Sequence, residues 1–182
     1  MTTIIGVEYE DRCEIFTDSR VTDDNGRIFI HKDMQKFAKR GHLIVAGSGE
    51  VLPCDIAQNI WNPPRMTAAD KKNVYKYIIR KVVPSLRKCL TENGYNFDEV
   101  HDKKQDGERW HMLIACEGQI FDVDYELTVT RDENNVYAIG SGSDFALGAI
   151  HAGAHPIKAL EITSKLSAYT SEPFHSITQF KN

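Results

Sequence analysis

Apolar positions alternate with mixed ones along residues 3–9 and again along 13–17, with the polar turn Glu10-Asp11-Arg12 between them, which predicts an N-terminal β-hairpin. Termini usually fray, so a strand that starts at residue 3 implies that the neighbouring sheet holds the first residues in place. Asp23-Asp24-Asn25-Gly26 is a strong turn signal. Short strands follow at 27–31 and 34–38, the second placing Met34 and Lys36 on one side, and an apolar strand at 42–46 runs into Gly47-Ser48-Gly49. From residue 51 to 61 the spacing turns helical, with Val51, Cys54 or Asp55, Ala57 or Gln58, and Trp61 along a stripe that Asn62-Pro63-Pro64 ends. Thr67 is a suitable N-cap for a second, long helix, with Asp70 in the place where a capping box usually has Glu or Gln. Its apolar line is Val74, Ile78, Val82 and Leu86, and Pro84 should kink it and cost a hydrogen bond.

Residues 92–109 are polar and read as an exposed loop. Strands are predicted at 110–116, 119–123, 127–130 and 136–139. Gly140-Ser141-Gly142-Ser143 then opens a helix to His151, Pro156 starts another towards Tyr169, and 174–180 is a last strand. Strands and helices come in blocks rather than in βαβ alternation. This predicts an α+β fold, a four-layer α-β-β-α sandwich with two antiparallel sheets between helix layers, as one domain over 1–182.

Composition narrows the class. At 182 residues and 41% hydrophobic, the chain is long enough for a sizeable core. No apolar run reaches the roughly 20 residues of a membrane span, and the N-terminus lacks the features of a secretory signal. Cys13, Cys54, Cys89 and Cys116 are scattered, without a Cys-x-x-Cys pair, and read as reduced core residues. A net charge of −4 gives no electrostatic reason to expect nucleic acid. The expected location is the cytoplasm.

The chemistry-bearing candidates are few. If Met1 is removed, Thr2 offers a hydroxyl and a free α-amine on one residue. Such an amine titrates at roughly 7.7–8.0 and can serve as a base near neutrality. Asp18 ends a strand and Lys36 sits on another, positions that turns and solvated edges also occupy. Gly140 to Ser143 lacks the third glycine of a dinucleotide loop. His151 and His155 have helical ligand spacing, but no glutamate lies between them and Pro156 follows at once, so they read as a helix-end pair. The alternation of Asp122, Asp124 and Glu126 reads as the solvent face of a strand.

Taken together, these pieces resemble an N-terminal-nucleophile (Ntn) hydrolase of the proteasome β-subunit class, and most closely the bacterial HslV peptidases. The resemblance is carried by Thr2-Thr3-Ile4-Ile5-Gly6-Val7, Thr17-Asp18-Ser19-Arg20, Lys36-Phe37 and Ala46-Gly47-Ser48-Gly49. It continues through Ala138-Ile139-Gly140-Ser141-Gly142-Ser143, Ala168-Tyr169-Thr170 and Phe174-His175-Ser176-Ile177. The resemblance implies a threonine-type endopeptidase in which Thr2 is the nucleophile and Lys36 an ammonium beside it, held by Asp18. Gly49 would supply an oxyanion N–H, and Ser141, with the Gly142 backbone, would orient the amine. Val21, Met34 and Gly47 would wall the pocket for the residue before the cut, implying an apolar preference. No cofactor is implied beyond a structural Na+ on the backbone carbonyls of Ser164, Ser167 and Thr170. The implied assembly is a homo-oligomer of stacked rings, a dodecamer, fed unfolded polypeptide by an HslU-like ATP-dependent unfoldase.

Two departures from the family pattern stand out. The Asp18-to-Lys36 segment is slightly longer than usual, which leaves Lys32 as a rival lysine. Ser167 stands where proteasome subunits carry a supporting aspartate, which HslV also lacks. An inactive member of the same fold that retains Met1, and an amidohydrolase acting on a small amide, are the alternatives the residues leave open.

Overall fold

The computed structural model describes residues 2–22, 25–32, 35–97 and 109–181. The first hairpin forms as expected: β1 (Ile4–Glu8) pairs antiparallel with β2 (Arg12–Thr17), with Ile4 opposite Thr17. β3 (Arg20–Thr22) and β4 (Ile28–Ile30) close a separate hairpin, with Val21 opposite Phe29. β5 (Phe37–Arg40) starts later than the pattern predicts, so Lys36 precedes the strand rather than lying within it. β6 (Leu43–Ser48) is buried throughout, which is why its sequence is a continuous apolar run.

The first helical stretch is α1 (Val51–Asp55), continued by a wider turn with i→i+5 bonding at Ile56–Ile60. The predicted long helix is divided. α2 (Ala68–Lys71) has the Thr67–Asp70 capping box, and α3 (Val74–Tyr77) begins anew because Asn73 leaves helical geometry and accepts from the Lys76 N–H. A second i→i+5 turn, Ile78–Val82, leads into α4 (Val83–Glu92). Pro84 therefore falls in the first turn of α4, where a missing N–H costs least, and the helical path continues past it.

The remaining elements are β7 (His111–Cys116), β8 (Gln119–Asp124), β9 (Val129–Thr130) and β10 (Val136–Ile139), then α5 (Ser143–His151), α6 (Pro156–Leu166) and β11 (His175–Phe180). The chain is thus α+β with antiparallel sheets, in the orders β10-β1-β2-β11 and β5-β6-β7-β8-β9 beside the β3-β4 hairpin. Among the described residues no helix is long and apolar enough to cross a membrane.

Strand periodicity sorts the core into three clusters. Leu43 and Val45 of β6 pack with Trp61, Tyr77, Ile78, Leu86 and Leu90 from the first helical block. Their neighbours Ile44 and Ala46 point the other way and meet Ile4 and Ile15. On the far side of β1 and β2, Ile5 and Phe16 meet Ala146, Ala159 and Leu160 from α5 and α6. Gly6 lies where a Cβ would come within 2.8 Å of the Ile120 side chain, so a glycine lets β1 approach β8 closely. This packing anchors β1 on both faces, directly beside residue 2.

Candidate active site at the start of the first strand

Thr2 is nearly buried, at 6% exposure, and Thr3 is fully buried. The Thr2 nitrogen donates to Ser141 Oγ at 3.3 Å, and the Thr2 carbonyl accepts from the Gly142 N–H at 3.4 Å. Thr3 N–H donates to Asp18 Oδ1 at 2.9 Å, and the Thr3 and Thr170 hydroxyls are 2.6 Å apart. Residues 2 and 3 are thus fixed by atoms from three distant segments. Gly140 completes the seat: it has φ +90° and lies where a Cβ would stand 2.2 Å from the Thr2 carbonyl oxygen, so both the backbone conformation and the close approach require glycine. Met1 lies outside the described residues.

Asp18 is fully buried at the end of β2. Besides Thr3 N–H, its carboxylate accepts from the Arg20 N–H at 3.0 Å, the Ser171 N–H at 3.3 Å and Lys36 Nζ at 2.6 Å. Three backbone donors and an ammonium satisfy a buried carboxylate well, and charge-assisted bonds of this kind are the strong ones. Lys36, rather than the exposed Lys32, is the lysine paired with Asp18. Burial lowers the pKa of Lys36, with the Asp18 charge opposing that shift. The Lys36 backbone is fixed as well, because its carbonyl accepts from the Gly47 N–H at 3.3 Å and from Gln58 Nε2 at 3.2 Å.

Thr2, Val21, Lys36, Gly47 and Gly49 line one cleft of about 940 Å³. Gly49 has φ +89° and lies where a Cβ would fall 2.2 Å from the Arg109 carbonyl oxygen, which holds the β6–α1 turn to glycine. Gly47 packs on Cys54, whose sulfur would be 2.6 Å from an added Cβ. Met34, expected as a pocket wall, lies outside the described residues.

Ser164, Ser167 and Thr170 fall at the end of α6 and in the loop after it, next to Ser171, which donates to Asp18. The Thr163 carbonyl is already used by the Ser167 N–H at 2.8 Å, whereas Ser164 lies in the last turn, where helix carbonyls have no intrahelical partner. A carbonyl at that end of a helix is the kind of oxygen ligand a hard cation takes. His155 caps α6 through Nδ1, accepting from Ile157 N–H at 3.4 Å, and its ring meets Phe16 edge-on. Asp122 pairs with His111, and Asp124 accepts from the Glu126 and Thr128 N–H groups, each at 2.9 Å, to close a turn.

Sequence reasoning missed several residues here. It left open whether Cys54 or Asp55, and Ala57 or Gln58, face the core. The structure places Cys54 and Ala57 in the first cluster and gives Asp55 and Gln58 to the cleft wall, where Cys54 also reaches. The family resemblance assigned Thr170 only a backbone-carbonyl role; its hydroxyl contact with Thr3 and the Ser171 N–H bond to Asp18 depend on tertiary structure.

No protein-family model matches the chain, and no curated protein matches it in sequence. Solved structures do resemble it. Thiobacillus denitrificans BPH in complex with epoxomicin superposes with a TM-score of 0.71 at 22% identity, over 99% of both chains. A further Thiobacillus denitrificans BPH structure gives 0.69 at 23% identity, over 99% of this chain and 98% of that one. A eukaryotic HslV from Trypanosoma brucei gives 0.59 at 17% identity, over 97% and 98%. The similarity runs through essentially the whole length of each, and the chain has the proteasome-β-like, HslV-type fold of the Ntn hydrolases.

Proposed function

We propose that this chain is the subunit of a threonine-type endopeptidase that hydrolyses peptide bonds of unfolded polypeptides, with Thr2 as nucleophile once Met1 is removed. The observation that carries the reading is that Thr2, whose nitrogen is bonded to Ser141, and Lys36, paired with the buried Asp18, line one cleft. In this reading the whole chain is one domain, arranged as a four-layer α-β-β-α sandwich.

Removing Met1 turns the Thr2 amide into an α-amine at the position where Ser141 Oγ can orient it. The amine takes the hydroxyl proton as Thr2 Oγ attacks the scissile carbonyl. Lys36, kept as an ammonium by Asp18, stabilises the oxygen as negative charge develops on it. The Gly49 N–H serves the oxyanion, and a donor in that role is worth about 3–4 kcal/mol in the transition state. Collapse of the intermediate expels the amine of the leaving peptide, which takes the proton from the α-amine. Water then hydrolyses the ester on Thr2 Oγ and restores the enzyme. Val21 and Gly47 leave a wall suited to an aliphatic side chain or stem.

No cofactor takes part in these steps. A structural Na+ on the carbonyls of Ser164, Ser167 and Thr170 would steady the loop that carries Ser171 to Asp18. The assembly proposed by analogy with HslV is a homo-oligomer of stacked rings, a dodecamer, in the cytoplasm with an HslU-like ATP-dependent unfoldase.

The amine's role gives a direct test. Protein that retains Met1 should hydrolyse fluorogenic peptides about 10²–10⁴-fold more slowly than processed protein, the usual worth of a positioned general base. Equal rates for the two forms, with their N-termini verified by sequencing, would remove the α-amine from the mechanism.

A further inference from the structure

Side chains two apart on a strand share a face. On the inner face of the five-stranded sheet, Ile44 and Ala46 of β6, Leu113 and Ala115 of β7 and Ile120 of β8 meet Ile4 and Ile15 of the other sheet. Continuing those three rows towards residue 2 brings Ser48, His111 and Asp122 onto the same face. Asp122 therefore lies on an inner face of the sheet rather than a solvent one. The mechanism uses none of these three polar residues.

They are not independent of one another. Asp122 Oδ1 is buried, and among the described residues His111 Nε2 is the group it meets. Asp124 stands opposite His111 in register, but its carboxylate is occupied by the Glu126 and Thr128 N–H groups, each at 2.9 Å. The pairing is thus diagonal, from the first residue of β7 to the body of β8, and it pins the start of β7. Ser48 stands directly opposite His111 on the other neighbouring strand.

Two parts of the active site rest on that strand start. Just before it, the Arg109 carbonyl oxygen lies 2.2 Å and the Trp110 Cα 2.9 Å from where a Cβ on Gly49 would stand. The residue whose N–H serves the oxyanion therefore has the backbone of 109–110 at its back. Across the ladder, Ser48 packs on Gly140, where a Cβ would stand 3.4 Å from Ser48 Cβ and 2.2 Å from the Thr2 carbonyl oxygen. A displaced β7 start would reach Gly49 directly, and Thr2 through Ser48 and Gly140. An apolar contact tolerates such a slide, whereas a paired carboxylate and imidazole fix both distance and direction.

We propose that His111, through Asp122, is a positioning residue that holds the start of β7 so that the Gly49 N–H and Thr2 keep their relative places. The inference rests on the threonine-peptidase reading of the cleft. An oxyanion donor is worth about 10²–10³-fold in kcat, and a misplacement of about 1 Å can cost about 10²-fold. Loosening the support should therefore be read in kcat. KM should hardly move, because the Val21 wall belongs to a separate hairpin.

Two arms test this separately from the peptidase reading. Processed protein is assayed with one fluorogenic peptide. His111→Leu should lower kcat at least tenfold and leave KM within about twofold. His111→Gln puts an amide nitrogen close to the place of Nε2 and should bring kcat back to within about threefold of the parent, which separates the contact with Asp122 from the filling of space. Asp122→Ala should cost as much as His111→Leu, and the double variant no more than either. An unchanged kcat in His111→Leu, a His111→Gln no better than His111→Leu, or additive losses in the double variant overturns the proposal while the peptidase stands. The second arm needs no catalysis: hydrogen exchange read by mass spectrometry in Thr2→Ala protein compares the segments 46–50 and 139–143 with 12–17. Adding His111→Leu should speed exchange at least fivefold in the first two and leave the third unchanged, a result that supports the proposal even if no peptide is cleaved. Equal acceleration of all three segments, or none, refutes it.

Discussion

Thr2→Ala should abolish peptide hydrolysis, lowering kcat by roughly 10⁴–10⁶-fold, the usual consequence of removing a nucleophile that acts as a unit with its base. The fold should be almost unaffected, and the reason lies in how residue 2 is held. Its contacts to Ser141 Oγ and to the Gly142 N–H run through backbone nitrogen and carbonyl, which alanine keeps. Thr3, not Thr2, supplies the hydroxyl bonded to Thr170. The two quantities should therefore separate, with a melting temperature close to that of the parent and activity at background. Peptide hydrolysis in the variant above about one-hundredth of the parent rate would place the nucleophile elsewhere, since even a general base contributes about 10²-fold.

Asp18→Asn should be costly in both stability and activity. An amide cannot accept from the Thr3, Arg20 and Ser171 N–H groups and from Lys36 as the carboxylate does, and it leaves the Lys36 ammonium buried without a counter-charge. Breaking a buried ion pair by removing one partner costs about 3–5 kcal/mol. For a chain of this size that corresponds to a fall of about 6–20 °C in melting temperature. The pH dependence carries a second signature. Burial already lowers the pKa of Lys36 below its ordinary 10.5, and among the described residues Asp18 opposes the shift. In the variant the pKa drops further, so the alkaline limb of the activity profile should move to lower pH. The sign for stability follows from proton counting. Between its folded pKa and 10.5, Lys36 holds fewer protons in the folded than in the unfolded state. Its burial cost is therefore complete below the folded pKa and is relieved as the pH rises through that window. The deficit of Asp18→Asn relative to the parent should thus be larger at pH 7 than at pH 9.5. A variant with the parent's melting temperature and an unmoved alkaline limb would show that Asp18 does not govern Lys36.

These two residues also show what the sequence could and could not reveal. Alternation made β1 and β2 visible, and Thr67 with Asp70 marked a helix start that the structure has. The division at Asn73 and the i→i+5 turn ahead of Pro84 were not visible, because helical periodicity does not distinguish i→i+4 from a locally widened turn. β5 begins after Lys36 because register at a short edge strand depends on its partner β6, not on its own residues. At the site, Thr2, Asp18, Lys36 and Ser141 were singled out through family resemblance rather than composition. Gln58 and Ser171 were not, since each acts through one atom directed by tertiary structure.

The amine and hydroxyl of Thr2 are proposed to act together, and covalent trapping reads both atoms at once. An epoxyketone such as epoxomicin has two electrophilic centres, so a residue presenting a hydroxyl and a free amine can bond to it twice. Processed protein is incubated with the probe, and intact mass and peptide mapping then locate the adduct. One whole probe mass per chain is expected, on the peptide that begins with Thr2, and no adduct on Thr2→Ala or on protein retaining Met1. An adduct mapped to any other residue, or processed and assembled protein that stays unlabelled, would contradict it.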